Sequence, residues 1–291
     1  MFKQIVIETT SRCNLQCKGC YRSQGAQADS DMTMKVYKTI LDQIDWPCTI
    51  VLFSDGEPLL HEDYPEFLEL AAKTGNKVQF CTNGTLFRQD VAEVVNAHNN
   101  ISNVCISVDG FYNSTTKILR GTRLSEIRLN IDKWLAQDVD VAVSMLRNGQ
   151  TWGEAEMFIL YWIGIVDHVI LRNFLSSEPG ENFHKDYCNY LYGYYVTIKS
   201  DGSIRLCERN QKAPVIGTYR NLAGAKKIMD SEAEAFPQGI CVNCEQVYDG
   251  AGMFGKICFK DGTLQINFRQ DYFNQIYSLR DVREGVSWEN L

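Results

Sequence analysis

Cys13-Asn14-Leu15-Gln16-Cys17-Lys18-Gly19-Cys20-Tyr21 begins six residues after the end of a short β-rich run, Gln4–Ile7. Eleven cysteines scattered at random over 291 residues would give this Cys-x3-Cys-x2-Cys pattern about 0.015 times, from (11/291)³ over roughly 284 windows, so the spacing is a signal. Three thiolates on one short loop suit a soft metal or an iron–sulfur cluster. A structural zinc would need a fourth Cys or His close by. None falls between Tyr21 and Cys48, and the nearest histidine is His61. Three protein ligands suit a [4Fe–4S] cluster whose fourth iron binds something else, with zinc as the bland alternative.

Outward from that loop, strand-like and helix-like segments alternate from residue 3 to 174. Apolar, β-branched runs occur at Gln4–Ile7, Thr49–Phe53, Val78–Cys81, Val104–Val108, Val141–Met145 and Val169–Leu171. Between them Val36, Ile40 and Ile44 share a helical face, as do Leu124, Ile127, Ile131 and Trp134. Asp63 is placed to cap a helix that has Pro65 in its first turn and Gly75 at its stop. Six strands alternating with five or six helices imply a parallel α/β sheet with right-handed crossovers. At roughly 170 residues the unit is too short for eight repeats, so a partial, TIM-like (β/α)6 barrel is expected over residues 1–175. Residues 176–291 then form a small α+β unit.

Barrel chemistry sits at the C-terminal ends of the strands. The distinctive segments fall there: the three cysteines after the first strand, Ser54-Asp55-Gly56-Glu57-Pro58 after the second, Thr82-Asn83-Gly84-Thr85 after the third and Ser107-Val108-Asp109-Gly110 after the fourth. Period-two alternation puts Cys105, Ser107 and Asp109 on one strand face, with Val104, Ile106 and Val108 on the other. The apolar face should meet the helices, and the polar face should line the barrel mouth. Ala142 and Ser144 alternate against Val141, Val143 and Met145 in the same sense.

Composition narrows the field. Hydrophobic residues make up 45% and aromatic residues 11%, which excludes intrinsic disorder and supplies one large core or a large domain with a small one. With 29 Lys+Arg against 36 Asp+Glu the net charge is −7, a poor match to nucleic acid. Glu8 comes too early for a signal peptide, and the longest apolar run, Phe158 to Leu171, is broken by Asp167 and His168, so no membrane span is expected. The chain reads as cytoplasmic, where eleven thiols are not a disulfide framework.

The Cys13–Tyr21 stretch, Gly56-Glu57-Pro58 after the second strand and Ser107-x-Asp109-Gly110 after the fourth together resemble the radical S-adenosylmethionine (SAM) enzymes over residues 3–174. The resemblance implies that Cys13, Cys17 and Cys20 hold a [4Fe–4S] cluster whose unique iron is chelated by the amino and carboxylate groups of SAM. It implies that Gly56, Glu57 and Pro58 contact the methionine amino group. It also makes Ser107, Asp109 and Ser144 candidates for the SAM ribose or carboxylate. Two departures stand out. Asp55 replaces the first glycine of the usual Gly-Gly-Glu-Pro, adding a charge. Gly19 precedes the last cysteine where an aromatic or apolar residue is common, which shifts adenine packing to Tyr21. Turn chemistry is the plain alternative for Ser107 and Asp109, and a favourable helix first turn for Glu57.

After residue 176 a hairpin is expected, with Tyr194–Lys199 and Ser203–Cys207 flanking a two-residue turn at Asp201-Gly202. Cys188, Cys207 and the Cys241-x2-Cys244 pair offer four thiolates, enough for a closed cluster or a four-cysteine zinc site. This segment resembles the shortened, twitch form of the SPASM auxiliary-cluster extension, which implies a second [4Fe–4S] cluster on those four residues. Gly250 stands where a further SPASM cysteine would fall.

The expected function is that of a radical SAM oxidoreductase. It would cleave SAM reductively to a 5′-deoxyadenosyl radical and dehydrogenate a small molecule by two electrons, the auxiliary cluster taking the second. Arg172, ending the sixth strand, is a candidate substrate anchor. A radical epimerase with Cys258 as hydrogen donor is the alternative, as is a peptide-modifying maturase. A non-catalytic zinc scaffold is the contrasting class. The barrel starts at residue 3 with no leader-recognition domain ahead of it, which favours a small-molecule over a peptide substrate. A flavodoxin- or ferredoxin-type reductant is the implied partner, with no nucleic acid and no membrane.

Overall fold

The computed structural model describes residues 1–20, 22–24, 29–147, 150–173, 195–205, 214–234, 255–260 and 263–268. Six strands, β1 (Gln4–Ile7), β2 (Thr49–Leu52), β3 (Lys77–Thr82), β4 (Ile101–Ser107), β5 (Asp140–Arg147) and β6 (His168–Asn173), pair in sequence order, every neighbour parallel. Parallel neighbours need a crossover, and helices supply it each time. These are α1 (Met34–Leu41), α2 (Tyr64–Lys73), α3 (Gln89–Ala97), the pair α4 (Asn113–Arg120) and α5 (Leu124–Leu135), and α6 (Ala155–Trp162).

The strand alternation behaves as expected. Val104, Ile106, Val108, Val141, Val143 and Met145 enter the main core with Phe67, Val91, Ile127, Ile131 and Trp134 from the helices. Trp134 is fully buried, its ring 5.5 Å from that of Phe80 and 4.9 Å from that of Phe87. On the opposite face Cys81, Cys105, Ala142 and Ile170 form a separate small cluster with Phe53. Cys81, Cys105 and Ala142 are small and leave room on that face of the sheet, whereas the helix-facing side is filled.

Several local details differ from the sequence reading. Helix α1 stops at Leu41, so Ile44 packs on the core from the following turn instead of extending the helical face. Thr33 caps α1, accepting from the Val36 N–H at 3.3 Å. Asp63 precedes α2 without a side-chain capping bond, because α2 has Pro65 in its first turn and one amide donor fewer to satisfy. Gly75 closes α2 at φ +76°, the left-handed geometry that glycine tolerates. Helix α4 has no counterpart in the periodicity reading; it ends on left-handed Gly121.

The described strands beyond residue 176 do not make a sheet of their own. Strand β7 (Tyr195–Ile198) pairs parallel with β1, and β8 (Ser203–Arg205) and β9 (Val215–Thr218) follow antiparallel. Strand β10 (Gly255–Lys260) pairs antiparallel with β6, and β11 (Thr263–Phe268) with β10, so both edges of the barrel sheet are extended. Helix α7 (Leu222–Glu234) packs on β9. The β7–β8 turn has three residues, not two: Gly202 N–H donates to Lys199 O at 2.8 Å and Lys199 N–H to Ser203 O at 2.9 Å. Ser200 and Asp201 therefore occupy the turn, and Gly202 follows at φ +81° as the bulge residue. No helix among the described residues is long and apolar enough to cross a membrane.

Candidate active site

The chain leaves β1 through Glu8-Thr9-Thr10-Ser11, four polar residues that are all buried. The rest of the loop bonds to their backbone: Ser11 N–H donates to Ser30 O (2.9 Å), Met32 N–H to Thr9 O (2.8 Å) and Arg22 Nε to Ser11 O (2.6 Å). Between them Cys13, Cys17 and Cys20 line one cavity of about 270 Å³. Lys18 N–H donates to Leu119 O at 2.7 Å, anchoring the loop on the end of α4, and Gly19 sits at φ +87°.

The loop after β2 closes a second wall of the cavity. Gly56 lies so close to the cysteine loop that a Cβ would be 2.1 Å from Thr10 O, so only glycine fits. The next N–H, of Glu57, donates to Arg12 O at 2.8 Å. Glu57 and buried Pro58 open a single 3₁₀ turn, Pro58–Leu60. The Glu57 carboxylate is itself buried and turned inward, accepting from Thr82 Oγ1 (2.7 Å), Asn83 N–H (2.6 Å) and Leu59 N–H (3.2 Å). Burial pushes its pKa up, and those three donors pull against that. Glu57 lines the cavity and also braces the second loop against the third.

The third loop brings in Asn83, whose contacts no local sequence pattern marks. Asn83 donates through Nδ2 to Asn14 Oδ1 (2.8 Å) and towards Cys13 Sγ (3.8 Å), while its Oδ1 accepts from Thr85 N–H (2.9 Å). Gly84, at φ +78°, fits where a Cβ would strike Ile106 and Ile127. Thr82-Asn83-Gly84-Thr85 thus holds the first cysteine from behind.

From the fourth loop Ser107 and Asp109 line the cavity. Asp109 takes φ +59°, the one non-glycine residue at positive φ among those described. Its Oδ1 accepts from Leu146 N–H (2.7 Å), and its Oδ2 accepts from Arg120 Nη1. Arg120, the last residue of α4, also lines the cavity, and its buried Nε–H has no acceptor among the described residues. Burial works against its charge, but Asp109, then Cys17 and Glu57, outweigh this and raise its pKa. Its position two turns along an unexpected helix is why spacing alone missed it. Ser144 is buried on β5 in register with Ser107, and its carbonyl accepts from the Val108 and Asp109 N–H groups at 2.9 and 3.2 Å. It is not among the described residues that line the cavity.

The thiols are held where they need a compensating cation. Burial is the main cause that raises the Cys13 pKa, and burial pushes Cys17 up to about 11, with Arg120 opposing and Cys20 and Cys13 adding to the rise. A bound metal reverses that balance by taking the sulfurs as thiolates. No three His, Cys, Asp or Glu side chains among the described residues are grouped to hold one metal ion. Zinc would draw its ligands to one point at about 2.3 Å. In a cubane cluster each cysteine serves a different iron, so three thiols spread around a shared cavity fit the larger group.

The remaining expected residues are accounted for as follows. Tyr21, Cys188, Cys207, Cys241 and Cys244 lie outside the described residues. Arg172 is on β6 in register with Leu146, and Cys258 is on β10 in register with His168; the side chains of both lie outside what is described. His168 opens β6, so Cys258 is at the end of the sheet away from the cavity. Cys81 and Cys105 pack in the small inner cluster, and Cys81 also lines the cavity.

A parallel β/α frame with three cysteines and motif loops around one cavity at its strand ends defines a class, and the comparisons agree. Residues 7–161 match the model of the radical SAM superfamily, and the chain belongs to that superfamily. It is 30% identical over 115 residues to the Fe-coproporphyrin III synthase of Methanosarcina barkeri, covering 39% of this chain and 29% of that protein. It is 29% identical over 117 residues to the antilisterial bacteriocin subtilosin biosynthesis protein AlbA of Bacillus subtilis, covering 40% and 26%. The matched segment therefore spans less than a third of each relative's length. The crystal structure of Streptococcus suis SuiB bound to S-adenosylmethionine superposes with a TM-score of 0.62 at 13% identity, over 87% of this chain and 73% of that one, which shows a shared fold. Membership implies a [4Fe–4S] cluster and SAM as cofactors, and the relatives are enzymes.

Proposed function

We propose that this chain is a radical SAM oxidoreductase in which Cys13, Cys17 and Cys20 hold a [4Fe–4S] cluster, leaving one iron for SAM. Such a cluster would supply the one electron that reductive cleavage of SAM needs, the chemistry by which a substrate hydrogen atom would be abstracted. The observation that carries this reading is that the three cysteines, Gly56-Glu57, Ser107-Asp109 and Arg120 all line one cavity. Gly56 lets the second loop approach the cysteine loop, and Pro58 stiffens its exit. Glu57 fixes that loop from beneath, keeping its backbone acceptors towards the methionine amine. Ser107 and Asp109 would bind the nucleoside end, with Ser144 supporting Asp109 through its carbonyl and Tyr21 assigned to adenine packing. Arg120 brings a cation to the cavity lining, which matches the SAM carboxylate.

The proposed outcome is a two-electron dehydrogenation of a small molecule anchored by Arg172. Cys188, Cys207, Cys241 and Cys244 would hold a second, twitch-type [4Fe–4S] cluster that would take the second electron as the substrate's O–H or N–H proton passes to solvent, and a flavodoxin- or ferredoxin-type protein would reduce the first cluster. A peptide substrate is the second reading, favoured by AlbA's role in bacteriocin biosynthesis and by a SuiB structure bound to its precursor peptide SuiA. The epimerase alternative, with Cys258 or another thiol as hydrogen donor, is less favoured here because the backbone register pairs Cys258 with His168 at the start of β6. Anaerobically purified protein tests the reading. About eight iron and eight sulfide per chain, with reductive cleavage of SAM to 5′-deoxyadenosine, are expected. Colourless protein carrying zinc and leaving SAM intact overturns it. Deuterium passed from candidate substrates into 5′-deoxyadenosine then separates small molecule from peptide.

A further inference from the structure

Asp55 stands where the related motif has glycine, and the chemistry above gives it no task. Its partner comes from the other end of the chain. Lys199, at the exit of β7, donates through Nζ to Asp55 Oδ2 (2.6 Å), Glu8 Oε1 (2.7 Å) and Ser54 Oγ (3.0 Å). The Glu8 side chain is fully buried and that of Lys199 nearly so, whereas Asp55 is 30% exposed. Asp55 also returns a backbone bond to Glu8 Oε1 at 3.2 Å. The next turn residue, Ser200, donates to the second oxygen of Glu8 through N–H (3.0 Å) and Oγ (2.9 Å), and its hydroxyl bonds with Ser30. Ser30 N–H donates to Ser11 Oγ at 2.8 Å, where the cysteine loop begins and returns. The tip of the β7–β8 hairpin is therefore bonded to both walls of the cavity.

The charges explain why this contact matters. Two carboxylates, Glu8 and Asp55, share one ammonium, and Ser54 and Asp55 both line the cavity. Glu8 cannot reach water, so Lys199 is fixed by it. Asp55 can reach water, and the bond from Lys199 holds its side chain against the wall. Without the cation its charge would turn into the cavity and drag the Ser54–Glu57 loop with it.

We propose that Lys199 is a positioning residue for SAM: by holding Asp55 it fixes the Ser54–Glu57 loop, so that docking of the β7–β8 hairpin on the barrel sets SAM affinity. This rests on the SAM reading of the cavity. The test is equilibrium dialysis of SAM against anaerobically purified, cluster-loaded full chain, with iron content, thermal midpoint and the SAM-induced change in the spectrum of the reduced cluster measured alongside. Lys199→Met alone strands buried Glu8, so the informative variant is Glu8→Gln/Lys199→Met, which removes the buried pair together. It is expected to keep its iron and fold while binding SAM about tenfold more weakly. Adding Asp55→Gly, which removes the loosened charge, is expected to recover affinity to within about threefold of the unsubstituted chain. Unchanged SAM affinity in the double variant overturns the proposal, as does a weak double variant that Asp55→Gly does not rescue. Failure of the unsubstituted, iron-loaded chain to bind SAM would sink the reading of the cavity itself, a result distinct from either.

Discussion

Along β4 and the two residues after it, Val104, Ile106 and Val108 pack into the core shared with the helices, whereas Cys105, Ser107 and Asp109, one residue out of phase, face the inner cluster and the cavity. The same backbone thus carries two sets of side chains under different constraints. The outer set fills space and holds the frame. The inner set is small or polar and leaves space, and its polar members are held by bonds from neighbouring loops. The difference predicts that outer and inner substitutions fail in different ways: the first by unfolding, the second by losing chemistry from a chain that still folds.

The largest effect should come from the cysteine loop. Cys13, Cys17 and Cys20 are each only partly buried and lie outside both apolar clusters. Cys17→Ala should therefore abolish SAM cleavage and remove about four of the expected eight iron atoms. Its far-UV circular dichroism should stay that of the unsubstituted chain. Loss of secondary structure together with the iron would mean that the frame depends on the metal, and the separation of the two faces would fall.

How far this was legible in the sequence follows the same division. The six parallel strands were found because Val, Ile and Leu repeat with period two on a face that must be filled, and that pattern needs no knowledge of the partner helix. The convergence of three cysteines with Gly56-Glu57 and Ser107-Asp109 was legible because all follow strand ends that a parallel sheet brings together. Arg120 and Asn83 were not. Each acts through a neighbour distant in sequence, Arg120 on Asp109 and Asn83 on Asn14 and Cys13, and no local periodicity records such a contact. Lys199 was hidden for a related reason: a lysine beside an Asp-Gly turn reads as a solvated hairpin residue until β7 is known to lie against β1. The antiparallel extension of both sheet edges was likewise invisible, since the hairpin signal fixes a turn and not the strand it docks on.

Adjacent residues on one strand give a sharper comparison. Ile106 is fully buried on the outer face, and truncation to alanine should cost about 2–5 kcal/mol, with the cluster's spectrum unchanged in whatever fraction stays folded. Ser107→Ala, one residue later on the inner face, should change stability by less than about 0.5 kcal/mol while raising the SAM concentration needed for half-maximal cleavage. Chemical denaturation and SAM titration on the two variants separate the effects. A Ser107→Ala chain as unstable as Ile106→Ala would show that the inner face, too, is structural.

The smallest effect concerns acid. Glu8 is buried, which by itself would raise its pKa, but the Lys199 ammonium and the bonds from Lys199, Ser200 and Asp55 outweigh burial and hold it below its ordinary value of 4.5. A carboxylate with a depressed folded-state pKa contributes stability that is present above its unfolded value and lost as pH falls through its folded one. Below about 4.5 the unsubstituted chain should therefore lose thermal stability with falling pH. Glu57 works the other way. Burial lifts its folded pKa, so protonation there favours the folded chain and offsets part of the acid loss. Glu8→Gln, which cannot titrate, should flatten the acid limb, and Glu57→Gln should steepen it. Thermal midpoints between pH 3 and pH 6 measure both slopes. If Glu8→Gln left the acid limb as steep as before, the Glu8–Lys199 pair would not be the buried ionic bond that ties the β7–β8 hairpin to the cavity wall.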